Sequence, residues 1–437
     1  MTAALLLVVA GLAVGAFAVR AVVPDADRSL ILGGAFPIGV SIPALGLLAA
    51  SLIGVVWSRE LLIAGFAFAM IALAAAAGLR RRSISALPFP VLTVSWIDAG
   101  SIILLAGYAL YATAGPMAEF DFLAMWGMKG KEFFLSRGID FAWLSHPWNE
   151  YTHPDYPILL SLIYDELALF HGSWNDRWIG VLFAAFAGSI LLILRGVLER
   201  ESGSNHLAAL GTLGLVPFAA SPYLGMAEGP LIAFGTAGVI LVREGLRRPQ
   251  PALVTLGAVF LGLAANTKNE GLTLCLAVAV AMAISEEGRR LMWRLWPVAV
   301  LAAPWLLIRS IHGLQTDLAQ GSVTTRVVGH LREPALFLES MGRYPLGKPL
   351  FWTGIAIAVA FLLGRMLRRD RFILTVLVVQ FGFFLAAYLA SPHSIDWHFR
   401  YSWERVLSQL TLMLGFVVVS NLIAVIRNSP EERVRSR

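Results

Sequence analysis

Apolar stretches close to twenty residues long recur from one end of this chain to the other, which is the length an α-helix needs to cross the hydrocarbon of a bilayer. Backbone polar groups in lipid must be satisfied within the segment that carries them, so repeated stretches of this length point to helices. The expected fold is therefore all-α and polytopic, not a soluble domain with an anchor. Composition agrees: 58% of the 437 residues are hydrophobic and 14% are charged, where a soluble chain carries about 25% charged residues. Spans are expected at roughly 3–23, 30–56, 61–79, 97–115, 178–196, 207–221, 224–242, 251–266, 272–284, 296–311, 350–367, 372–390 and 405–426, about thirteen in all.

Two kinds of loop alternate between these stretches. One kind is short and basic: Arg80 to Arg82, Arg195 to Arg200, Arg247-Arg248, Arg289-Arg290, Arg368 to Arg371 and the tail from Arg427. The other kind carries the unusual residues: Glu119 to Tyr156, Tyr223 to Glu228, Asn266 to Gly271, His312 to Lys348 and His393 to Arg405. Basic loops mark the cytoplasmic side of a membrane. The chemistry is thus expected on the non-cytoplasmic face of the membrane, with the C-terminus in the cytoplasm. The net charge of +6 is no sign of nucleic acid as a partner, because its arginines sit beside spans, where they meet anionic membrane lipid. The lone cysteine, Cys275, excludes an intrachain disulfide and a multi-cysteine metal site. The first 23 residues lack a basic start and run into another span, so they read as a retained helix.

Three regions follow. Residues 1–96 form an N-terminal module of three spans with almost no polar residues, expected to face lipid. Residues 97–426 form a transmembrane core, with the loop 116–177 as its catalytic element and the loop 312–349 as a lid. Residues 427–437 are a cytoplasmic tail. Within the first loop, 156–172 is apolar but carries Asp165 and Glu166. An acid at mid-bilayer costs about 2.5–3.5 kcal/mol. This segment is expected to lie along the interface with its acids toward water.

Several residues in the polar loops can carry chemistry. Asp121 follows a span end and stands between Phe120 and Phe122, where partial desolvation suits a carboxylate to take a proton from a hydroxyl. The plainer reading pairs it with Lys129. His146-Pro147 and His153-Pro154-Asp155-Tyr156-Pro157 make a stiff, kinked segment. There His153 and Asp155 can share a substrate hydroxyl or a metal, or simply cap an interfacial aromatic cluster. In Asn266-Thr267-Lys268-Asn269-Glu270-Gly271, Lys268 offers a point charge to a lipid phosphate, or pairs with Glu270 to close a hairpin. Glu228 sits at a helix start, where it answers the helix dipole or supplies a second acid to the same cavity. In the last loop Arg400 and Arg405 can clamp phosphate. Trp397, Tyr401 and Trp403 suit either a membrane-interface belt or the apolar faces of sugar rings. There is no Walker loop, Rossmann glycine pattern or GxSxG motif.

The order of these pieces resembles a known family. An acid just after a span, then Trp126 and Lys129 to Lys131, His153 to Pro157, Ala227-Glu228-Gly229-Pro230, Thr267 to Gly271 and Ser402 to Arg405 look like a bacterial GT-C glycosyltransferase. The chain is most similar to the branch related to protein O-mannosyltransferases and lipid A aminoarabinose transferases, over about residues 97–426. The resemblance implies a GT-C-like fold and transfer of a sugar from a polyprenyl-phosphate carrier to a glycan, lipid or protein acceptor outside the cytoplasm. It makes Asp121 the general base, usually with inversion at the anomeric carbon, and Asp155 a second acid that orients acceptor or donor. Lys268 would hold the donor phosphate, helped by Arg400 or Arg405. Lys129, His153, Tyr156, Glu228 and Glu270 complete the substrate-binding set. The sequence fixes no cofactor, and a divalent cation stays open as a metal partner. The chain departs from larger members in its three extra leading spans and in lacking a sizeable soluble C-terminal domain. A flippase or transporter of a lipid-linked sugar, and a polymerase or ligase of surface glycans, are the competing readings. A transporter should place its polar residues near mid-membrane; here they gather at one surface.

Overall fold

The computed structural model describes residues 1–79, 94–315, 321–344 and 349–427, and all the regular structure among them is helical. The Arg80 to Arg82 loop, parts of the expected lid and the tail from residue 428 lie outside the described residues. The first helices are α1 (Thr2–Val22), α2 (Arg28–Leu52), α3 (Arg59–Leu79) and α4 (Asp98–Ala112). The first large loop then holds a π-turn (Phe122–Trp126), α5 (Gly127–Ser136), α6 (Phe141–Leu144), a 3-10 turn (Pro147–Thr152) and α7 (Leu159–His171). Next come α8 (Asp176–Ser202), α9 (Asn205–Ala219), α10 (Glu228–Arg247), α11 (Pro251–Ala265), α12 (Asn269–Ile284), α13 (Glu286–Leu291) and α14 (Trp296–Ile311). The chain closes with α15 (Val323–Leu331), α16 (Pro334–Arg343), α17 (Pro349–Arg369), α18 (Arg371–Leu389) and α19 (Ile395–Arg427).

A helix stands at each of the thirteen expected stretches. Among the described residues, eight helical stretches are long and apolar enough to cross a membrane: α1, α2, α3, α8, α10, the run from α13 through α14, α18 and α19. Three more, α4, α11 and α12, are apolar but shorter. The chain has the character of an integral membrane protein.

α1 and α2 do more than face lipid. They cross in direct backbone contact: a Cβ on Gly15 would lie 1.7 Å from the Ala35 carbonyl oxygen. α2 also packs on α7 and α8 and is largely buried, whereas α3 is mostly exposed. The packing of α1 and α2 corrects the expectation for 156–172. α7 is too short to cross a bilayer, and it does not turn its acids to water. α1, α2 and α5 cover it, and Asp165 and Glu166 are both fully buried with no hydrogen-bond partner among the described residues.

Charge is segregated along the longest helices. α10 begins at Glu228 and ends at Arg247. On α19, Arg405 and Arg427 are about 33 Å apart at ~1.5 Å rise per residue. At the arginine end, buried Arg243 donates to Glu201 at 2.7 Å and to Glu244 at 2.9 Å, and also reaches Asp370. Arg369 donates to the same Glu201 at 2.7 Å, and Asn421 to Asp370 at 2.7 Å. This network ties α8, α10, α17 and α19 together at one end, with Asp370 at the junction of α17 and α18. The other end carries a second network.

Candidate functional site

The second network is built from segments that are far apart in sequence. α10 opens after the Tyr223 to Ala227 turn and so begins with Glu228, buried at its first position. α11 and α12 meet at the Asn266–Lys268 turn, where they approach closely: a Cβ on Gly271 would lie 2.0 Å from the Ala264 carbonyl oxygen. Only glycine allows that approach, and it leaves Lys268 extended at the start of α12. Lys268 Nζ donates to Glu228 Oε1 and lies 2.9 Å from both Glu228 Oε1 and Glu270 Oε1. Arg405, on α19, places its Nε 3.4 Å from the same Glu228 oxygen and donates through Nη1 to Asp121, which ends the loop before the π-turn. Asp121, Glu228, Lys268, Glu270 and Arg405 therefore form one connected cluster.

A second group lies beside it. Asn269 Nδ2 donates to Asp155 Oδ2 at 3.0 Å, which joins Asp155 to the Lys268 turn. The Asp155 carbonyl accepts from Trp305 Nε1 at 3.1 Å. Asn266 fixes the turn from below: its carbonyl accepts from Leu159 N at 3.2 Å, and its side chain donates to the Leu301 carbonyl at 2.8 Å. Lys129 is fully buried and donates to the His153 carbonyl at 2.8 Å, with its ammonium 5.2 Å from the Trp126 ring. The His153 backbone is left-handed, φ 49°, and its ring stacks on Tyr156 at 5.0 Å.

The electrostatics divide these groups. Glu228 and Lys268 form a buried floor, their side chains 1% and 5% exposed; Asp121 and Arg405 (17% each) and Glu270 (20%) form the accessible rim. Burial works against the charge of Lys268, but Glu228 and Glu270 outweigh it and raise its pKa, so it stays a fixed cation. Burial pushes the Lys129 ammonium down to about 7, against the pull of Asp155. Burial likewise pushes the Asp155 carboxyl above its usual range, against Asn269, Lys129 and Arg309. Four buried oxygens have no donor among the described residues: Asp155 Oδ1, Asn269 Oδ1, Glu228 Oε2 and Glu270 Oε2. A buried acceptor without a partner is costly, so these oxygens suit hydroxyl groups arriving on a ligand. Among the described residues no three histidine, cysteine or acid side chains gather in a group that would hold a metal ion.

The structure brings together most of the residues expected from sequence, with changes of partner. Asp121 pairs with Arg405 and not with Lys129. Lys268 pairs with Glu270, as a hairpin closure would, and also reaches across to Glu228. His153 meets Lys129 through its backbone. Tyr156 stacks between His153 and Trp126, with its ring 5.7 Å from the latter. Arg400 is the exception: it is exposed and lies over the Tyr401 ring at 5.7 Å, away from the cluster. On α19 the side chains of residues 400 and 405 project in different directions, and only Arg405 faces inward. Neither Asn269 nor Trp305 stood in the expected substrate-binding set. Asn269 was visible in the polar turn, whereas Trp305 lies in an apolar run that carries no signal. The chain matches no family model, no curated protein and no solved structure.

Proposed function

We propose that this protein is a membrane glycosyltransferase that takes a sugar from a polyprenyl-phosphate carrier and passes it to an acceptor on the non-cytoplasmic face. All thirteen helices at the expected stretches cross the membrane in this reading, the arginine end faces the cytoplasm, and the architecture is GT-C-like. The observation that carries the proposal is the joining of Asp121, Glu228, Lys268, Glu270 and Arg405 into one cluster at the end of the molecule opposite the arginines, with Asp155 beside it.

The donor keeps its tail in lipid, so its phosphate arrives at the membrane surface. Lys268 and Arg405 are the cations that meet it there. Both are neutralised by acids in the unliganded protein, and this suggests an exchange. When phosphate takes Arg405, the Asp121 carboxylate is released and accepts the proton of the acceptor hydroxyl. The acceptor oxygen bonds to the anomeric carbon as the bond from that carbon to the phosphate oxygen breaks, with inversion. The electron pair leaves on polyprenyl phosphate, whose charge Lys268 and Arg405 hold. Sugar hydroxyls donate to the unpartnered oxygens of Asp155, Asn269 and Glu270. A positioned base contributes about 10²–10⁴ in rate.

The test uses purified protein with polyprenyl-phosphate sugar and an acceptor extract. Release of polyprenyl phosphate is expected, and Asp121→Asn should lower it about 10²–10⁴-fold while the protein still folds. Movement of intact lipid-linked sugar across vesicles without release would instead make the protein a transporter. Sugar added to a growing glycan would place it with the polymerases or ligases, which use the same donor chemistry.

A further inference from the structure

Among the described residues, the arginine end of the molecule holds more positive charge than its own acids neutralise. Glu201 is shared by Arg243, Arg247 and Arg369, and it also accepts from Ser420. Asp370 is taken by Arg243 and Asn421, and Glu244 by Arg243, Arg247 and Arg248. Arg365, Arg368 and Arg371, at the junction of α17 and α18, reach no acid among the described residues. Arg365, Arg368 and Arg369 alone line an open recess of about 540 Å³.

Two of these arginines are held in place. Arg365 Nη2 donates to the Ala424 carbonyl at 3.2 Å, and Arg369 Nη1 donates to the Ser420 carbonyl at 3.1 Å, both on the last turns of α19. Arg427 is fixed nearby, its Nη1 donating to the Glu201 carbonyl at 3.1 Å. Arg365, pinned through one nitrogen, keeps its other N–H groups free among the described residues in a planar fork, the geometry that matches phosphate oxygens, while Arg369 is held through both terminal nitrogens, by Ser420 and Glu201. Arg368 is exposed at the mouth of the recess.

We propose that this recess binds the phosphate of an anionic phospholipid from the leaflet on the arginine side. The ligand is a lipid headgroup because the recess opens where membrane-crossing α18 and α19 end, so a bound phosphate would leave its acyl chains alongside those helices. The proposal is independent of the transferase reading and stands whichever reaction the opposite end performs.

The full-length protein, purified and placed in nanodiscs of phosphatidylcholine with a minority of phosphatidylglycerol, tests this by native mass spectrometry of the lipids it keeps. Selective retention of phosphatidylglycerol is expected, weakened about fivefold by Arg368→Ala, further by Arg365→Ala with Arg368→Ala, and little by Arg290→Glu, an exposed arginine outside the recess. Restoration by Arg365→Lys with Arg368→Lys would mark the loss as one of charge and not of folding. Retention of both lipids alike, or unchanged retention in the Arg368→Ala protein, overturns the proposal. So does complete displacement by millimolar glycerol 3-phosphate, which would mark a site for free phosphate.

Discussion

Asp121 and Arg405 are separated by 284 residues, and nothing in either local sequence tells that they pair. The sequence marks each as a polar residue in an otherwise apolar chain; only the placing of the first large loop beside α19 turns them into partners. The Lys268–Glu270 contact was legible because both belong to one turn, but the Lys268–Glu228 contact was not. Arg400 and Arg405 are equivalent in sequence, and helix phase alone separates them. If Arg405 governs the release of Asp121, then Arg405→Lys, which keeps charge but loses the fork, should impair the donor step more than Arg400→Ala, whose effect should be within about twofold. Transfer measured against donor concentration decides this, and equal losses would break the exchange. Lys129 makes a second test at this scale. Its pKa is about 7 in the fold against 10.5 for a free lysine, so the unfolded chain binds the extra proton between those values. Stability should therefore rise with pH from about 7 to 10.5, and Lys129→Met should flatten that rise when the melting temperature is followed across the range.

At the scale of elements, the helices were legible because bilayer thickness and backbone hydrogen bonding leave few alternatives for long apolar runs. α7 was misread for a related reason. Its acids implied water, and the sequence could not show that α1 and α2 cover them. Burial raises the pKa of both acids, with each close enough for Glu166 to add to the effect on Asp165. The pair should be protonated at neutral pH. The infrared spectrum should then contain carboxylic acid bands that vanish in Asp165→Asn with Glu166→Gln, while the melting temperature changes little. Bands of ionised carboxylate instead would show that water or a cation reaches α7. The α11–α12 turn carries a different sensitivity. Gly271→Ala meets backbone, and overpacking of this kind costs about 1–3 kcal/mol. Gly107→Ala on α4 meets nothing within 4 Å. Thermal unfolding should separate the two, with the Gly271 variant also losing activity because Lys268 moves with its turn.

Across the whole molecule, two charge networks stand at opposite ends of the same helices, and this division is what the sequence stated most clearly through its alternating loops. Alternation is legible because it is one-dimensional: each crossing reverses the side. What lies at each end, and which loops meet there, depends on lateral packing that the order of loops does not encode. The division also makes the topology open to a direct experiment, since Cys275 is the only cysteine and is buried. A membrane-impermeant thiol reagent should not label the unmodified protein. Trp148→Cys, at a side chain 82% exposed in the first large loop, should be labelled in intact spheroplasts. Arg248→Cys, at the exposed end of α10, should be labelled only after the membrane is opened. Labelling of both from the same side would place the two networks on one face, and labelling of Trp148→Cys only after the membrane is opened would leave a lipid-phosphate substrate outside with no route to the Lys268 cluster.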